Sequence, residues 1–232
     1  LKGEPVRDKT LLDRIRFSVL FTKQFTYFLW RAPDPYSAIM RFERILADMS
    51  ENPSEISDYM SDPKILKDLA VLLGASDFLW EDFIRSQYET ILPMLTPRVK
   101  TTYYSHTEEE LPGLLEAELK KAEPAEALND FKDREIYLID LDHILNPETD
   151  FLFLSRRLTA LAEITANAAV GIAWEKNTGI YGIPRTVAGL PAGYALMGLG
   201  KLGGAALGYA SDIELMFVYG DNGRTDGGKS IP

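Results

Sequence analysis

The sequence of 232 residues has no cysteine, which removes disulfide staples, thiolate metal ligands and cysteine nucleophiles together and fits a reducing compartment. It has only two histidines, His106 and His143, far apart and without ligand spacing. Both read as ordinary helix or loop residues, so imidazole chemistry has little material to work with. No run reaches the roughly 18 apolar residues that a membrane helix needs, and Leu1-Lys2-Gly3-Glu4 is not followed by the apolar stretch of a secretory signal. The expectation is a cytoplasmic protein with no membrane partner. What is present is 46% hydrophobic and 26% charged residues, a composition that excludes collagen-like, low-complexity and wholly disordered chains.

Basic residues are the scarce charge, 25 against 35 acids, for a net −10. Residues 108–150 hold fourteen acids against Lys120, Lys121, Lys132 and Arg134, so this segment alone accounts for the imbalance. Such a stretch repels phosphate backbones, so nucleic acid is not the expected main partner. It reads as a solvated helix surface.

The chain begins at Leu1 and reaches Ser230-Ile231-Pro232 straight after a glycine-rich turn, a pattern expected of a piece of something longer. From about Leu11 to Trp30, the residues Phe17, Leu20, Phe21, Phe25, Phe28 and Leu29 recur at helical spacing as one buried face. Asp34-Pro35 and Asp62-Pro63 each place a capping carboxylate before a proline whose missing N–H costs nothing in a first turn. They predict helices near 35–49 and 63–73, with Gly74 as a left-handed C-cap and Ser76 capping the next helix. Pro112, Pro124 and Pro147 punctuate the acidic helices, and a subdomain seam is expected near 96–107. Asn146-Pro147-Glu148 predicts the start of a long helix with Phe151, Leu154, Leu158, Leu161, Thr165, Ala168 and Ile172 along one seam. Most glycines lie beyond Val170, and two short apolar runs, Tyr194-Ala195-Leu196-Met197 and Ile213 to Tyr219, predict strands. The expected fold is therefore α+β and predominantly helical: a helical domain over 1–170, with the acidic segment 108–150, followed by the first part of a sheet domain over 171–232.

Three kinds of chemistry compete for the glycine-rich end. Gly198-Leu199-Gly200-Lys201-Leu202-Gly203 fits the dinucleotide pattern G-x-G-x-x-G, with Asp221 placed for a ribose, but only Gly204 to Ser211 remain for a crossover that needs a dozen or so residues. Gly223 to Ser230 fits the phosphate-loop pattern G-x-x-x-x-G-K-S, but the helix that should follow meets Pro232 within its first turn, and Asp226 puts negative charge in the cradle. The third centres on Asp212 and Glu214. Two apart on a strand, their side chains share a face with α-carbons roughly 6.5–7 Å apart, within reach of a pair of divalent cations. Hard carboxylate oxygens suit Mg²⁺. Upstream, Gly203-Gly204 lets backbone N–H groups approach phosphate oxygens with no side chain in the way, and Lys201 adds positive charge. Glycines, a short turn and Asp-x-Glu on a strand suggest nucleotidyl transfer, whereas a plain exposed strand face is the simpler alternative.

Gly200-Lys201-Leu202-Gly203-Gly204 followed by Leu207-Gly208-Tyr209-Ala210-Ser211-Asp212-Ile213-Glu214-Leu215-Met216-Phe217-Val218-Tyr219 resembles the glutamine synthetase adenylyltransferase/deadenylylase family, within the polymerase-β-like nucleotidyltransferases. Gly223 to Ile231 is similar to that family's loop after the strand, and Leu72 to Leu79 with the capped helix at Asp34-Pro35 is similar to its preceding helical segment. The resemblance implies transfer of AMP from ATP to a tyrosine of glutamine synthetase, or its phosphorolytic removal, in the control of nitrogen metabolism, with the PII signal protein as a possible regulator. Asp212 and Glu214 would then be catalytic and hold Mg²⁺, while Gly203, Gly204, Ser211 and Lys201 would position the nucleotide phosphates. The family usually has Asp at the place of Glu214 and Glu at the place of Ala206, and its third metal carboxylate comes from a later strand. Residues 1–232 alone are therefore expected to be inactive, and a degenerate domain serving as a regulatory interaction module is the alternative.

Overall fold

The computed structural model describes residues 19, 22–49, 62–75, 77, 80, 103–208 and 211–227. The chain forms two compact units, residues 1–104 with 141–147, and residues 105–140 with 148–232. The architecture is α+β and predominantly helical. The composition change near residue 170 falls inside a continuous helix, whereas the two units divide at 104/105, 140/141 and 147/148.

In the first unit, residues 22–29 are helical, and α1 (Pro35–Met49) and α2 (Pro63–Ala75) follow the two Asp-Pro signals. Asp34 Oδ1 accepts the amides of Tyr36 and Ser37 at 3.0 and 3.1 Å, and Asp62 Oδ1 accepts that of Lys64 at 2.8 Å. Each carboxylate thus takes up first-turn N–H groups that have no partner within the helix. Phe25 and Leu29 are buried as the aromatic stripe predicts, with the Phe25 and Phe42 rings edge to face at 4.3 Å. The earlier part of that stripe, Ser76 and all of the helix expected after it except Asp77 and Trp80 lie outside the described residues. Gly74 does not cap α2 in a left-handed conformation. It is buried within the helix, where a Cβ would come within 2.8 Å of Ala32 Cβ and 2.9 Å of the Asp34 carbonyl oxygen. Its requirement is close approach, with Asp34 N–H donating to its carbonyl at 3.1 Å.

The second unit carries α3 (Leu111–Leu119), most of α4 (Pro124–Leu145) and α5 (Phe151–Tyr181). Asp150 caps α5 by accepting the Leu152 amide at 3.1 Å. Asn146 instead finishes α4, donating its amide N–H and its side-chain Nδ2 to the Asp142 carbonyl. Of the predicted seam, Leu154, Leu158, Leu161 and Thr165 are buried and Phe151 is exposed, and the three leucines share a cluster with Leu111, Leu115, Phe131 and Ile139. Two antiparallel pairs follow: β1 (Pro184–Thr186) with β4 (Gly223–Thr225), and β2 (Tyr194–Leu199) with β3 (Glu214–Tyr219). A single helical turn, α6 (Gly200–Gly203), leaves the end of β2.

The acidic segment is only partly a solvated surface. Glu116 and Glu118 meet Lys120, Lys121 and Arg134 on the outside, but Glu135, Asp140 and Asp142 are buried. In the second unit Glu135 takes His106 Nδ1 at 2.8 Å. In the first, Asp142 Oδ1 accepts the Tyr104 amide at 2.5 Å, and the Tyr104 hydroxyl donates to Asp68 at 2.6 Å, with Lys64 Nζ bonded to both.

Burial, and then the bond to Asp68, push the Tyr104 hydroxyl up to about 12 from 10.0. The unfolded chain thus loses this proton first, so the stabilisation is complete below about pH 10 and falls away between about pH 10 and 12. Melting temperature measured from pH 9 to 12 is expected to drop across that window. Tyr104→Phe should flatten part of the drop, the remainder coming from Lys64, whose pKa is also raised: burial opposes the shift, but the bonds to Asp68 and Tyr104 outweigh it.

Candidate functional site

The register of β2 with β3 pairs Tyr194 with Tyr219 at one end and Leu199 with Glu214 at the other. Because side chains alternate across a ladder, Met197, Leu199, Glu214, Met216 and Val218 share one face. Tyr194, Leu215 and Phe217 lie on the other, lining an apolar groove against the second half of α5, with Trp174 and Tyr194 ring centroids 5.0 Å apart. Glu214 is thus the first paired residue of β3, at the mouth of the connection from β2.

That connection is seated by two leucines. Leu202 of α6 and Leu207 just beyond it are buried in the cluster of Leu111, Phe131, Leu154 and Leu158. Between them the backbone turns back on itself: Gly204 N–H donates to the Gly200 carbonyl at 3.1 Å, Ala205 to Leu202 at 3.1 Å and Ala206 to Lys201 at 2.8 Å. Those amides are committed, so Gly204 offers an incoming phosphate the absence of a side chain rather than a free N–H. Ser211 Oγ accepts the Gly208 amide at 3.1 Å, which leaves the hydroxyl hydrogen to donate elsewhere. Lys201, Asp212 and Glu214 are exposed, and none makes an ion pair with a described residue. Asp212 precedes the ladder by two residues rather than lying within the strand.

β2 and β3 pair antiparallel, and the helix that leaves β2 is a single turn, so the dinucleotide reading of Gly198 to Gly203, which needs a parallel strand–helix–strand crossover, is excluded. Its glycines answer to packing instead. A Cβ on Gly198 would meet the Leu202 side chain at 2.8 Å, and one on Gly203 would meet the Gly198 carbonyl oxygen at 2.4 Å. The phosphate-loop reading also fails, because Gly223, Arg224 and Thr225 form β4 against β1. Asp226 then accepts the Ile183 amide at 2.7 Å and Arg185 Nε at 2.5 Å, with Arg185 first holding its carboxyl below the usual range.

Gly203 and Gly204 separate fold from approach. Gly203→Ala forces a Cβ onto a backbone oxygen and is expected to destabilise by about 1–3 kcal/mol. On Gly204, whose φ is −89°, a Cβ finds its nearest neighbour at 3.5 Å. Gly204→Ala should therefore stay within about 0.5 kcal/mol of wild type while weakening nucleotide binding, as read by thermal unfolding and an ATP titration of the same samples.

Among the described residues no three His, Cys, Asp or Glu side chains gather into a metal-binding group. Two exposed carboxylates two residues apart nonetheless suit Mg²⁺, which is usually held by one or two carboxylates, with water and substrate phosphate completing the shell. The family model for glutamate-ammonia ligase adenylyltransferase matches residues 66–232.

The chain belongs to this family.

It is 37% identical over 106 residues to a relative from Mannheimia haemolytica, covering 45% of this chain and 11% of that protein. It is 31% identical over 185 residues to one from Alteromonas mediterranea, covering 74% and 18%, and 25% identical over 221 residues to one from Acinetobacter baylyi, covering 91% and 24%. Each is named a bifunctional glutamine synthetase adenylyltransferase/adenylyl-removing enzyme. The chain spans about a quarter or less of the length of these relatives. The family match includes the whole β2–α6–β3 hairpin and both carboxylates. Asp212 and Glu214 were singled out in the sequence, whereas Leu202 and Leu207, which seat the loop between the strands, and Gly200 were not. The spacing of Gly198, Gly200 and Gly203, which also fits a dinucleotide pattern, is their signal.

Proposed function

We propose that residues 171–232 supply part of the active site of a Mg²⁺-dependent nucleotidyltransferase, which adds AMP from ATP to a tyrosine of glutamine synthetase or removes it by phosphorolysis. The observation that carries this reading is the β2–α6–β3 hairpin, which opens a glycine-lined turn beside the only paired acid of the ladder. Asp212 and Glu214 would hold Mg²⁺, whose positive charge would favour the ionised tyrosine hydroxyl and offset charge developing on the α-phosphate. Gly204 leaves the phosphate room to come close, Lys201 adds a cation to its surroundings, and the Ser211 hydroxyl donates to one of its oxygens. Exposure of both acids leaves the large protein substrate free to reach them.

Such sites use a third carboxylate, and none joins Asp212 and Glu214 among the described residues. Residues 1–232 on their own are therefore proposed to be inactive, with the third acid coming from elsewhere in the whole protein. The same observation, with Glu214 in place of the usual Asp, favours a second reading in which the domain is a degenerate regulatory module. The reaction on glutamine synthetase would place the protein in the cytoplasm, in nitrogen regulation.

The test is the intact mass of glutamine synthetase after incubation with the whole protein and Mg²⁺. Two arms are run, unmodified substrate with ATP and AMP-bearing substrate with phosphate. Gain of one AMP in the first arm, or loss of one in the second, supports the enzyme reading and gives its direction. No change in either arm favours the module.

A further inference from the structure

We propose that Gly200 is a positioning residue for the Glu214 carboxylate, an inference that rests on the metal-ligand reading of Glu214. Gly200 follows Leu199, the ladder partner of Glu214, and adopts a φ of +55°. In that conformation the place where a Cβ would stand is 2.8 Å from Glu214 Oε2 and 3.6 Å from its Cδ. Real Cβ atoms do not approach this closely, so the carboxylate occupies space that exists only because residue 200 has no side chain. Gly203 and Gly204 answer differently: a Cβ on Gly203 would collide with backbone, and one on Gly204 would make only ordinary contacts, the nearest at 3.5 Å. A Cβ on Gly208 would meet Ser211 Oγ only at an ordinary 3.6 Å, whereas at Gly200 the overlap is with the Glu214 carboxylate itself.

The conflicting atom is the far end of a flexible side chain, and this decides what a substitution does. In Gly200→Ala the backbone keeps its turn at a modest cost in left-handed strain, and the Glu214 carboxylate moves. Shortening the arm by one methylene in Glu214→Asp withdraws the carboxylate from the contested space. The two substitutions should therefore be coupled, as positions that share one contact are.

The experiment is a titration of the whole protein with Mn²⁺ in the presence of α,β-methylene-ATP, followed by the electron paramagnetic resonance of free Mn²⁺. It compares wild type, Gly200→Ala, Glu214→Asp, the double variant and Glu214→Gln, with melting temperature recorded for each. Gly200→Ala is expected to weaken Mn²⁺ binding by about 10-fold in the Glu214 background and by less than about 2-fold in the Asp background. An equal loss in both backgrounds, or none with Glu214 present, overturns the positioning role. Glu214→Gln separates the two levels of the argument. If it binds Mn²⁺ like wild type, Glu214 is no ligand, and the functional reading falls together with the role of Gly200. If it binds weakly while Gly200→Ala does not, only the role of Gly200 falls.

Discussion

Asp212→Asn in the whole protein is expected to lower AMP transfer, or AMP removal, by at least about 100-fold without altering unfolding. The two halves of this expectation have separate causes. Asp212 is exposed, lies ahead of the β3 ladder and makes no ion pair with a described residue, so the fold does not lean on its charge. Its proposed work is to hold a cation where negative charge accumulates during phosphoryl-group transfer, and a neutral amide oxygen does this poorly. Asp221→Asn is the control. Asp221 is an acid just past the other end of β3, accepting the Asn222 amide at 2.8 Å, and the excluded dinucleotide reading gave it a ribose. Rates measured from the mass of glutamine synthetase should stay within about twofold of wild type for that variant, as for a surface change away from the site. A large loss at Asp221 with none at Asp212 would reverse the assignment.

Phe131→Ala is expected to cost about 3–5 kcal/mol, the range for deleting a buried aromatic ring. Phe131 is fully buried and shares its cluster with Leu154, Leu158 and Leu161 of α5 and with Leu202 and Leu207 of the connection. The Arg134 guanidinium, 5.6 Å from the ring centroid, adds a cation–π contact that alanine also removes. Leu202 and Leu207 bracket the Gly203-Gly204 turn, so a cavity beneath them is expected to loosen the seat of the loop proposed to face the phosphate. Urea unfolding followed by circular dichroism checks the magnitude, with Val187→Ala, at an 82% exposed position, expected to change stability by less than about 0.5 kcal/mol. A small effect at Phe131 would mean that this cluster does not hold the second unit together.

The elements most legible in the sequence were those whose signal is local. Asp-Pro pairs announced α1 and α2 because cap and first turn lie within four residues, and the two apolar runs announced β2 and β3. What the sequence hid depended on partners distant along the chain. Asn146 resembled the start of α5, but its side chain turns back to the Asp142 carbonyl, and Asp150 takes the cap. β1 and β4 are Pro-Arg-Thr and Gly-Arg-Thr, with no apolar alternation to betray a strand, and are held by pairing across some forty residues. Glu135, Asp140 and Asp142 looked like surface charge because a helix's buried polar positions have the same spacing as its exposed ones. At the proposed site the acids were legible and the shape was not: Asp212 and Glu214 stood out as two carboxylates two residues apart, while the close approach of Gly200 to the Glu214 carboxylate exists only once β2 and β3 are in register.

The central claim is that Asp212 and Glu214 together form the metal end of a nucleotide site. The most direct measurement is a crystal structure of the whole protein with Mn²⁺ and α,β-methylene-ATP, using the anomalous signal of manganese to locate the ion. The account predicts a peak at coordination distance from both carboxylates, with a nucleotide phosphate beside Gly204 and Ser211. A nucleotide bound with its metal elsewhere, and both carboxylates left facing water, would contradict it.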